Sequence, residues 1–421
     1  MSTDSGRVPP WASWSTVVPV LAAVLLAFTW GRDLPGWAVS GVALFLAGSV
    51  LAAVHHAEVV AHRVGEPFGS LVLAVAVTLI EVALIVTMMS SNGAKSATLA
   101  RDTVFAAIMI TCNGIAGLCL LLVALKRGLA RFNADGTATV FGAIITLAGL
   151  TLVLPTFTTS PPGPEFNTTQ LANATVDSIV LYGLYIVAVT VRHRPDYLPV
   201  DAGSQVADPD DADYESADSR SESESGPGSG SGSESGSESG SGPRSSSGSV
   251  SGSGSGSGYD EHGYEGDRPT AGQALTSLGL LVLALIAVVG LGKGVSPTIE
   301  RGVDRAGLPS SVVGVVIALL VLLPESIAAV RAARRDELQT SLNLALGSAM
   351  ASIGLTVPAI AVATIWLTTP LILGLDGSHM VLLALTVAAG SLTFVRGRAT
   401  LVQGGVHLAV CFSYLVLAVS P

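Results

Sequence analysis

The segment VTLIEVALIV, from Val77 to Val86, combines nine residues that suit a lipid-facing or tightly packed helix with a single carboxylate, Glu81. A charged carboxylate at the centre of a bilayer costs about 3 kcal/mol or more, so such groups face the protein interior or a water-filled cavity. Binding a proton or a cation removes this cost. A second apolar segment, VLLPESIA from Val321 to Ala328, carries Glu325 in the same setting. The two segments predict a membrane protein with two acids inside the bilayer.

The composition agrees with this prediction. Hydrophobic residues make up 49% of the 421 residues and charged residues only 12%, and apolar runs long enough to cross a bilayer recur along the chain. A soluble domain would need more polar surface. No clear small-residue cleavage site follows the first apolar run, so we interpret it as a span and not as a removed signal peptide. The three cysteines lie in apolar runs without disulfide or metal-ligand spacing and are predicted to be buried: Cys112, Cys119 and Cys411.

The apolar runs predict an all-α membrane protein with eleven transmembrane helices. Their approximate ranges are 16–30, 37–60, 67–91, 103–125, 138–156, 172–191, 272–294, 308–330, 340–366, 378–395 and 402–420.

A segment rich in Ser and Gly separates the first six helices from the last five. Between Asp196 and Thr270 it carries 16 acidic residues and three arginines. This composition cannot bury enough apolar area to fold, so it predicts a disordered linker. The predicted organisation is an N-terminal segment with the first helix (1–35), a five-helix unit (36–195), the linker (196–270) and a second five-helix unit (271–421).

The distribution of Lys and Arg predicts the orientation in the membrane. If successive loops alternate sides, one side holds twelve basic residues, namely Arg7, Arg63, Lys126, Arg127, Arg131, Arg192, Arg194, Arg331, Arg334, Arg335, Arg396 and Arg398. The other side holds six, namely Arg32, Lys95, Arg101, Lys293, Arg301 and Arg305. The first side is therefore expected to be cytoplasmic, with the N-terminus and the linker inside and the C-terminus outside.

An internal repeat relates the two five-helix units. Placing Glu81 over Glu325 aligns VTLIEVAL with VLLPESIA, and an Arg-Asp pair follows each glutamate, at Arg101 and at Arg335. The next helix then carries TCNG (111–114) in one unit and LGSA (346–349) in the other. Because each unit has an odd number of spans, the second enters from the opposite side. This 1+5+5 arrangement with inverted repeats is typical of secondary transporters, whose substrate site lies near the bilayer midplane between the units.

Two carboxylates facing each other at that position suit a divalent cation. Calcium takes six to eight oxygen ligands, so neutral oxygens must complete its shell. Pro324 removes a backbone donor next to Glu325 and is expected to free carbonyls near Val321. Hydroxyl and amide groups on nearby helices are the other candidates, although helix packing explains each of them equally well: Thr78, Thr111, Asn113, Asn343, Ser348 and Ser352. For the glutamates, the alternative is a pair of structural acids hydrogen-bonded to neighbours.

Three titratable residues share one helix face at the predicted cytoplasmic mouth. The spacing of His55, Glu58 and His62 fits a proton relay or a regulatory site. It also fits a polar helix end at the membrane interface, which we favour. His407 is interpreted as a buried packing residue.

The same segments carry a resemblance to a known family. VHHAEVVAHRVGEPFGSL (54–71), the glutamate of TLIEVALI, the stretch from 320 to 361 and RGRATLVQGGVHLAV (396–410) resemble the ChaA-type bacterial calcium/sodium–proton antiporters of the calcium:cation antiporter superfamily. The resemblance implies that Glu81 and Glu325 are the core acids and that Thr78, Asn113 and Ser348 are neighbouring cation-site residues. Gly-Asn precedes each glutamate in many calcium exchangers, but Val77-Thr78 and Val321-Leu322 stand here, which leaves sodium and potassium open.

The predicted protein is a proton-driven antiporter of the bacterial inner membrane that exports calcium, with sodium or potassium as possible substrates, and needs no cofactor. Its expected partners are cations, protons and lipid; no nucleic acid is expected, and the oligomeric state is open. A mainly sodium/potassium–proton antiporter is an alternative, and a cation channel is another. A channel usually has a pore ringed by subunits, which two related halves in one chain disfavour. An intramembrane hydrolase is disfavoured because no Ser/His/Asp or metal-ligand set lies at matched depth.

Overall fold

The computed structural model describes residues 13–32, 36–65, 68–92, 96–159, 163–192, 197, 269–309, 311–366 and 370–420. The predicted linker, 196–270, lies outside this set apart from Tyr197, Pro269 and Thr270. Its disorder therefore stays a prediction.

The described residues form eleven helices, which we number α1 to α11. They are α1 (Trp14–Thr29), α2 (Gly36–Val64), α3 (Phe68–Asn92), α4 (Leu99–Arg127), α5 (Ala134–Phe157), α6 (Thr168–Arg192), α7 (Ala271–Arg305), α8 (Ser311–Arg334), α9 (Leu338–Ala363), α10 (Gly377–Phe394) and α11 (Leu401–Val419). Three of them contain π-helical stretches: α4 at Ile110–Ile115, α5 at Gly149–Val153 and α6 at Ala188–Arg192.

The predicted helix ends agree with these bounds within four residues, with one exception. Helix α7 was expected to end near 294 but continues to Arg305. The extension is polar, so the apolar run that guided the prediction ends before the helix does. The turn that follows contains Gly307, whose φ of 64° lies in the left-handed region that glycine adopts readily.

Ten of the helices are long and apolar enough to cross a membrane, and α1, with 16 residues, is shorter. The chain is therefore an all-α, multi-pass membrane protein. Whether α1 is an eleventh span stays a prediction. Regular strands within the described residues are limited to Leu129–Arg131 (β1) and Arg398–Thr400 (β2), which pair antiparallel and join the α4–α5 loop to the α10–α11 loop.

Helix contacts occur in matching pairs in the two predicted units. Helix α3 packs on α9 and α8 on α4, while α6 packs on α9 and α11 on α4. Exchanging the units maps each contact onto its counterpart. Glycine allows the second pair of contacts: a Cβ at Gly354 would lie 2.9 Å from Tyr182 Cβ, and one at Gly117 would lie 2.7 Å from His407 Cβ.

Two equivalent helices also start with the same motif. A capping box opens α6, where Asn167 caps and the Gln170 side chain returns to its backbone, and another opens α11 with Thr400 and Gln403. Each box satisfies backbone N–H groups that the first turn leaves without partners. These local matches support the repeat, and its inversion stays a prediction.

The two Arg-Asp landmarks of the repeat are paired differently. Asp102, in the first turn of α4, binds Arg101 at 2.7 Å. Asp336, between α8 and α9, binds Lys126 at 2.6 Å and Arg127 at 3.1 Å. Hydrogen bonds from these two cations lower the pKa of the Asp336 carboxyl group, so the end of α4 is tied to the α8–α9 turn.

Candidate functional site

A cavity of about 180 Å³ lies between α3, α6, α8 and α9. Both predicted acids, Glu81 and Glu325, line it. Its other polar lining residues are Thr78, Tyr182, Tyr185, Thr190, Asn343, Ser348 and Ser352. The fold therefore brings together the two glutamates and four of the six small polar residues selected from the sequence.

Glu81 is held by a residue of the other predicted unit. Its side chain is 4% exposed, and Ser352 Oγ lies 2.8 Å from Oε1 and 3.0 Å from Oε2. A serine hydroxyl has one proton to donate, whereas an ionised carboxylate accepts about four hydrogen bonds. Ser352 therefore fixes the position of the Glu81 carboxyl group and leaves it able to bind a proton or a cation.

Glu325 lacks such a partner. Its Oε2 atom is buried and makes no hydrogen bond with any described residue. Helix α8 stays continuous through Pro324. Fewer carbonyl groups near Val321 are therefore freed from the helix than the sequence predicted. Only the Leu320 carbonyl loses its regular helical donor, because proline has no N–H.

Three other predicted residues also line the cavity. Thr78 lies one turn before Glu81 on α3, and Ser348 lies one turn before Ser352 on α9. Asn343 is partly engaged: its Nδ2 donates to the Tyr197 carbonyl at 2.7 Å, and its Oδ1 accepts from Gln339 at 3.0 Å.

Thr111 and Asn113 do not line the cavity. Thr111 donates to the Ala107 carbonyl at 2.6 Å, and both Thr111 and Asn113 are fully buried elsewhere in α4. The reason is the placement of α4, none of whose described residues lines the cavity.

His55, Glu58 and His62 lie outside the cavity lining as well. His55 Nδ1 and Glu58 Oε2 are 4.0 Å apart, with about half of each side chain exposed. An ion pair this exposed contributes little to stability. Their role stays a prediction, and the polar helix end remains the simpler interpretation. His407 is buried and hydrogen-bonded to Asn113.

Helix α6 forms a wall of the cavity that the sequence pattern did not indicate. Tyr182 and Tyr185 line the cavity and pack against α9 where Gly354 and Gly347 leave room for their rings. The Tyr182 hydroxyl is buried without a hydrogen-bond partner among the described residues. The signal available in the sequence was the pair of tyrosines in an apolar helix, which alone predicts only packing.

The electrostatic character of the cavity follows from its lining. Two carboxylates face it, and none of the described lining residues is a lysine or an arginine. Within the described part of the chain, no group of three or more His, Cys, Asp or Glu could hold a metal ion. A bound cation would thus be neutralised by the two glutamates and completed by neutral oxygens, a set suited to a hard cation.

Comparison with known proteins agrees with this chemistry. Residues 35–193 and 276–420 match the family described as "Sodium/calcium exchanger protein". The protein y4hA of Sinorhizobium fredii is 37% identical over 424 residues, covering 100% of this chain and 99% of y4hA. The sodium-potassium/proton antiporter ChaA of Escherichia coli is 29% identical over 406 residues, covering 96% of this chain and 95% of ChaA.

Two solved structures share the fold. Native YfkE matches with a TM-score of 0.60 and 14% identity, covering 96% of this chain and 99% of YfkE. The H+/Ca2+ exchanger CAX matches with a TM-score of 0.57 and 13% identity, covering 96% of this chain and 91% of CAX. The family match extends over both predicted five-helix units and includes both glutamates. The chain therefore belongs to the sodium/calcium exchanger family and is a membrane-spanning cation antiporter.

Proposed function

We propose that the protein exports calcium across the cytoplasmic membrane in exchange for protons that enter from outside. The observation that carries this proposal is the pair of glutamates, one from each predicted unit, in one cavity that no described basic side chain neutralises. Either protons or a cation must compensate these charges, because an unpaired charge in the membrane interior is costly.

Competition for the same oxygens couples the two fluxes. When the cavity faces the cytoplasm, the ionised carboxylates take up the cation. After the units rearrange, protons from outside bind the carboxylates and displace it. The cavity then returns with its acids protonated, which completes one exchange cycle without a cofactor.

The identity of the cation is the finer question. CAX is named an H+/Ca2+ exchanger, whereas ChaA is named a sodium-potassium/proton antiporter. Calcium is favoured by two acidic groups facing one cavity, and the oxygens of Thr78, Ser348 and Ser352 would contribute to its shell. A mainly sodium/potassium–proton antiporter is the second candidate, supported by the similarity to ChaA.

The orientation proposed from the basic residues makes this an inward-facing cavity. Most of its lining residues in α3, α6 and α9 lie in the helix halves that end on the side rich in arginine, and Glu325 lies just past the midpoint of α8 toward that side. A reporter inserted in the linker is expected to be cytoplasmic, and one after Pro421 outside. Both reporters on one side would contradict the odd number of spans and the inverted repeat.

Transport by the purified protein in liposomes tests the function. With an inward-directed cation gradient, calcium uptake is expected to be accompanied by proton efflux, read by a trapped pH dye, and to respond to an imposed pH gradient. Calcium, sodium and potassium are compared side by side. Calcium flux that moves no protons would indicate a channel and refute the antiporter.

A further inference from the structure

A buried polar network joins α4, α10 and α11, away from the cavity. Asn113 Nδ2 donates to Thr386 Oγ1 at 2.9 Å, His407 Nδ1 lies 3.0 Å from Asn113 Oδ1, and His407 Nε2 lies 3.3 Å from Thr393 Oγ1. Each of the four side chains is at most 1% exposed. We call these four residues the Asn113 network.

The Asn113 amide sets the direction of one hydrogen bond in this network. An amide oxygen can only accept, so His407 Nδ1 donates to Asn113, and in the neutral imidazole the other ring nitrogen accepts from the Thr393 hydroxyl. Both ends of the Asn113 amide are thereby engaged. In this state Asn113 already uses the oxygen that it would offer to a cation.

The position of Asn113 in the repeat makes this arrangement informative. The alignment of TCNG with LGSA places Asn113 over Ser348, which lines the cavity. Asn113 also sits in the π-helical stretch of α4, and such stretches occur frequently at functional sites. The equivalent helices α9 and α4 thus differ: α9 presents the polar residue Ser348 to the cavity, whereas Asn113 of α4 lies away from it.

The interface that carries the network is closed. Helices α4 and α11 approach so tightly that a Cβ on Gly404 would lie 2.8 Å from Leu121 N, and one on Gly114 would lie 3.0 Å from Cys411 Sγ. The equivalent pair, α6 and α9, also meets closely at Gly354, but residues of both helices line the cavity, whereas no described residue of α4 or α11 does. The two equivalent helix pairs therefore differ in whether a cavity borders them.

We propose that the Asn113 network keeps the α4–α11 interface closed while the cavity bordered by α6 and α9 is open, and that His407 is a positioning residue that holds the Asn113 amide away from the cation path. In the opposite access state α11 separates from α4, the bonds of His407 to Asn113 and Thr393 break, and the Asn113 amide turns to the cation. This inference rests on the alternating exchange described under Proposed function.

The chain carries its own probes for this movement. Its three cysteines all lie on α4 and α11, and all are buried: Cys112, Cys119 and Cys411. Thiol modification of Cys112 and Cys411 by a small maleimide, resolved by mass spectrometry, therefore reports opening of this interface. In the wild-type protein the rate is expected to rise when calcium and a pH gradient drive turnover.

Three substitutions in the network separate its role from that of a packing element. Thr386→Val removes one network hydrogen bond worth about 1 kcal/mol, so resting modification of both thiols is expected to accelerate roughly five- to tenfold. His407→Leu removes two such bonds and should accelerate modification at least as much. His407→Gln retains a donor for Asn113 and should stay close to wild type. The matched control is Thr103→Val, which removes a fully buried hydroxyl on the same helix that bonds only its own helix, at the Leu99 carbonyl.

The outcomes discriminate clearly. Resting modification in Thr386→Val that equals that of Thr103→Val overturns the proposal, as does a wild-type rate that stays unchanged in liposomes shown to exchange calcium for protons. If His407→Leu fails to fold, Thr393→Val removes the other partner of the same ring and takes its place. Modification is measured at rest as well, so accelerated labelling of Thr386→Val supports the network even if wild-type liposomes exchange no protons, which would refute only the proposed function.

Discussion

Glu81 and Glu325 come from equivalent segments and face one cavity, yet the protein holds them differently. Glu81 is almost fully buried and bonded through both oxygens to Ser352 of α9. Glu325 follows Pro324 and has a buried carboxylate oxygen without a partner among the described residues. The contrast indicates that Ser352 positions the Glu81 carboxyl group before any ion binds. The buried oxygen of Glu325 instead needs a bound proton or cation as its partner.

The source of this asymmetry is the pair of helices that follow the glutamates. Helix α9 contributes six residues to the cavity lining, and α4 contributes none of those described. Thr111 of α4 bonds to its own helix, and Asn113 bonds to residues of α10 and α11. The site therefore contains a glutamate from each unit, but of the two helices that follow the glutamates only α9 lines it in this state.

The largest expected effect comes from removing either charge. Glu81→Gln and Glu325→Gln should each abolish exchange, because the amide keeps the size and polarity of the side chain but can neither titrate nor neutralise a cation. Proton-coupled calcium flux in liposomes is the measurement. Size-exclusion profiles and thermal stability close to wild type are the control for folding.

The two variants also test whether the glutamates are equivalent partners. Exchange at near the wild-type rate in one of them would remove that residue from the coupling site and reduce the comparison to a single functional acid. Loss in both supports a shared site in which each unit contributes one charge.

A smaller effect is expected from the partner of Glu81. Ser352→Ala removes a hydrogen bond to a charged group, worth roughly 1.5–3 kcal/mol, and should raise the KM for the cation about 10- to 100-fold. Ser348→Ala is the matched variant one turn away, since it removes a hydroxyl that lines the cavity without a hydrogen bond to Glu81 within the described structure. Equal effects of the two serines would show that Ser352 acts as a neutral ligand and does not position Glu81.

Pro324→Ala makes the Glu325 segment resemble the Glu81 segment, where Ile80 occupies the preceding position. A proline inside a helix removes one hydrogen bond and strains the turn before it. The alanine variant should therefore melt at a higher temperature and exchange a few-fold more slowly, since Glu325 loses local freedom. Unchanged turnover in a more stable protein would assign Pro324 a structural role only.

The sequence was sufficient for the helices and the two acids, because long apolar runs and isolated carboxylates are local features. It also selected Thr78, Ser348 and Ser352, which lie on regular helices and follow the expected register. It also selected Thr111 and Asn113, which do not line this cavity, because the packing of α4 against α10 and α11 is a tertiary feature that no local pattern reveals. It missed Tyr182 and Tyr185 because their place beside the site depends on the tertiary contact with Gly354 and Gly347.

The smallest effect is expected from the acids outside the membrane. The linker between Asp196 and Thr270 carries 16 carboxylates, eight times the number at the site, but they are dispersed among Ser and Gly and not set in a fixed loop such as an EF-hand. The disorder that this composition predicts means a large loss of conformational entropy on wrapping an ion, so the affinity of the segment for calcium should be poor. In this test, residues 203–258 are replaced by a neutral Gly/Ser segment long enough to join α6 to α7. The KM for calcium should then stay within about threefold, and the pH profile of exchange should keep its shape, because Glu81 and Glu325 bind the cation and the protons. The measurement is the same liposome assay, and an equally long segment that retains the native acids in scrambled order is the control for length. A shift of tenfold or more in the KM, seen with the neutral segment but not with the scrambled one, would show that linker charge regulates transport and that carboxylates outside the membrane act together with the buried pair.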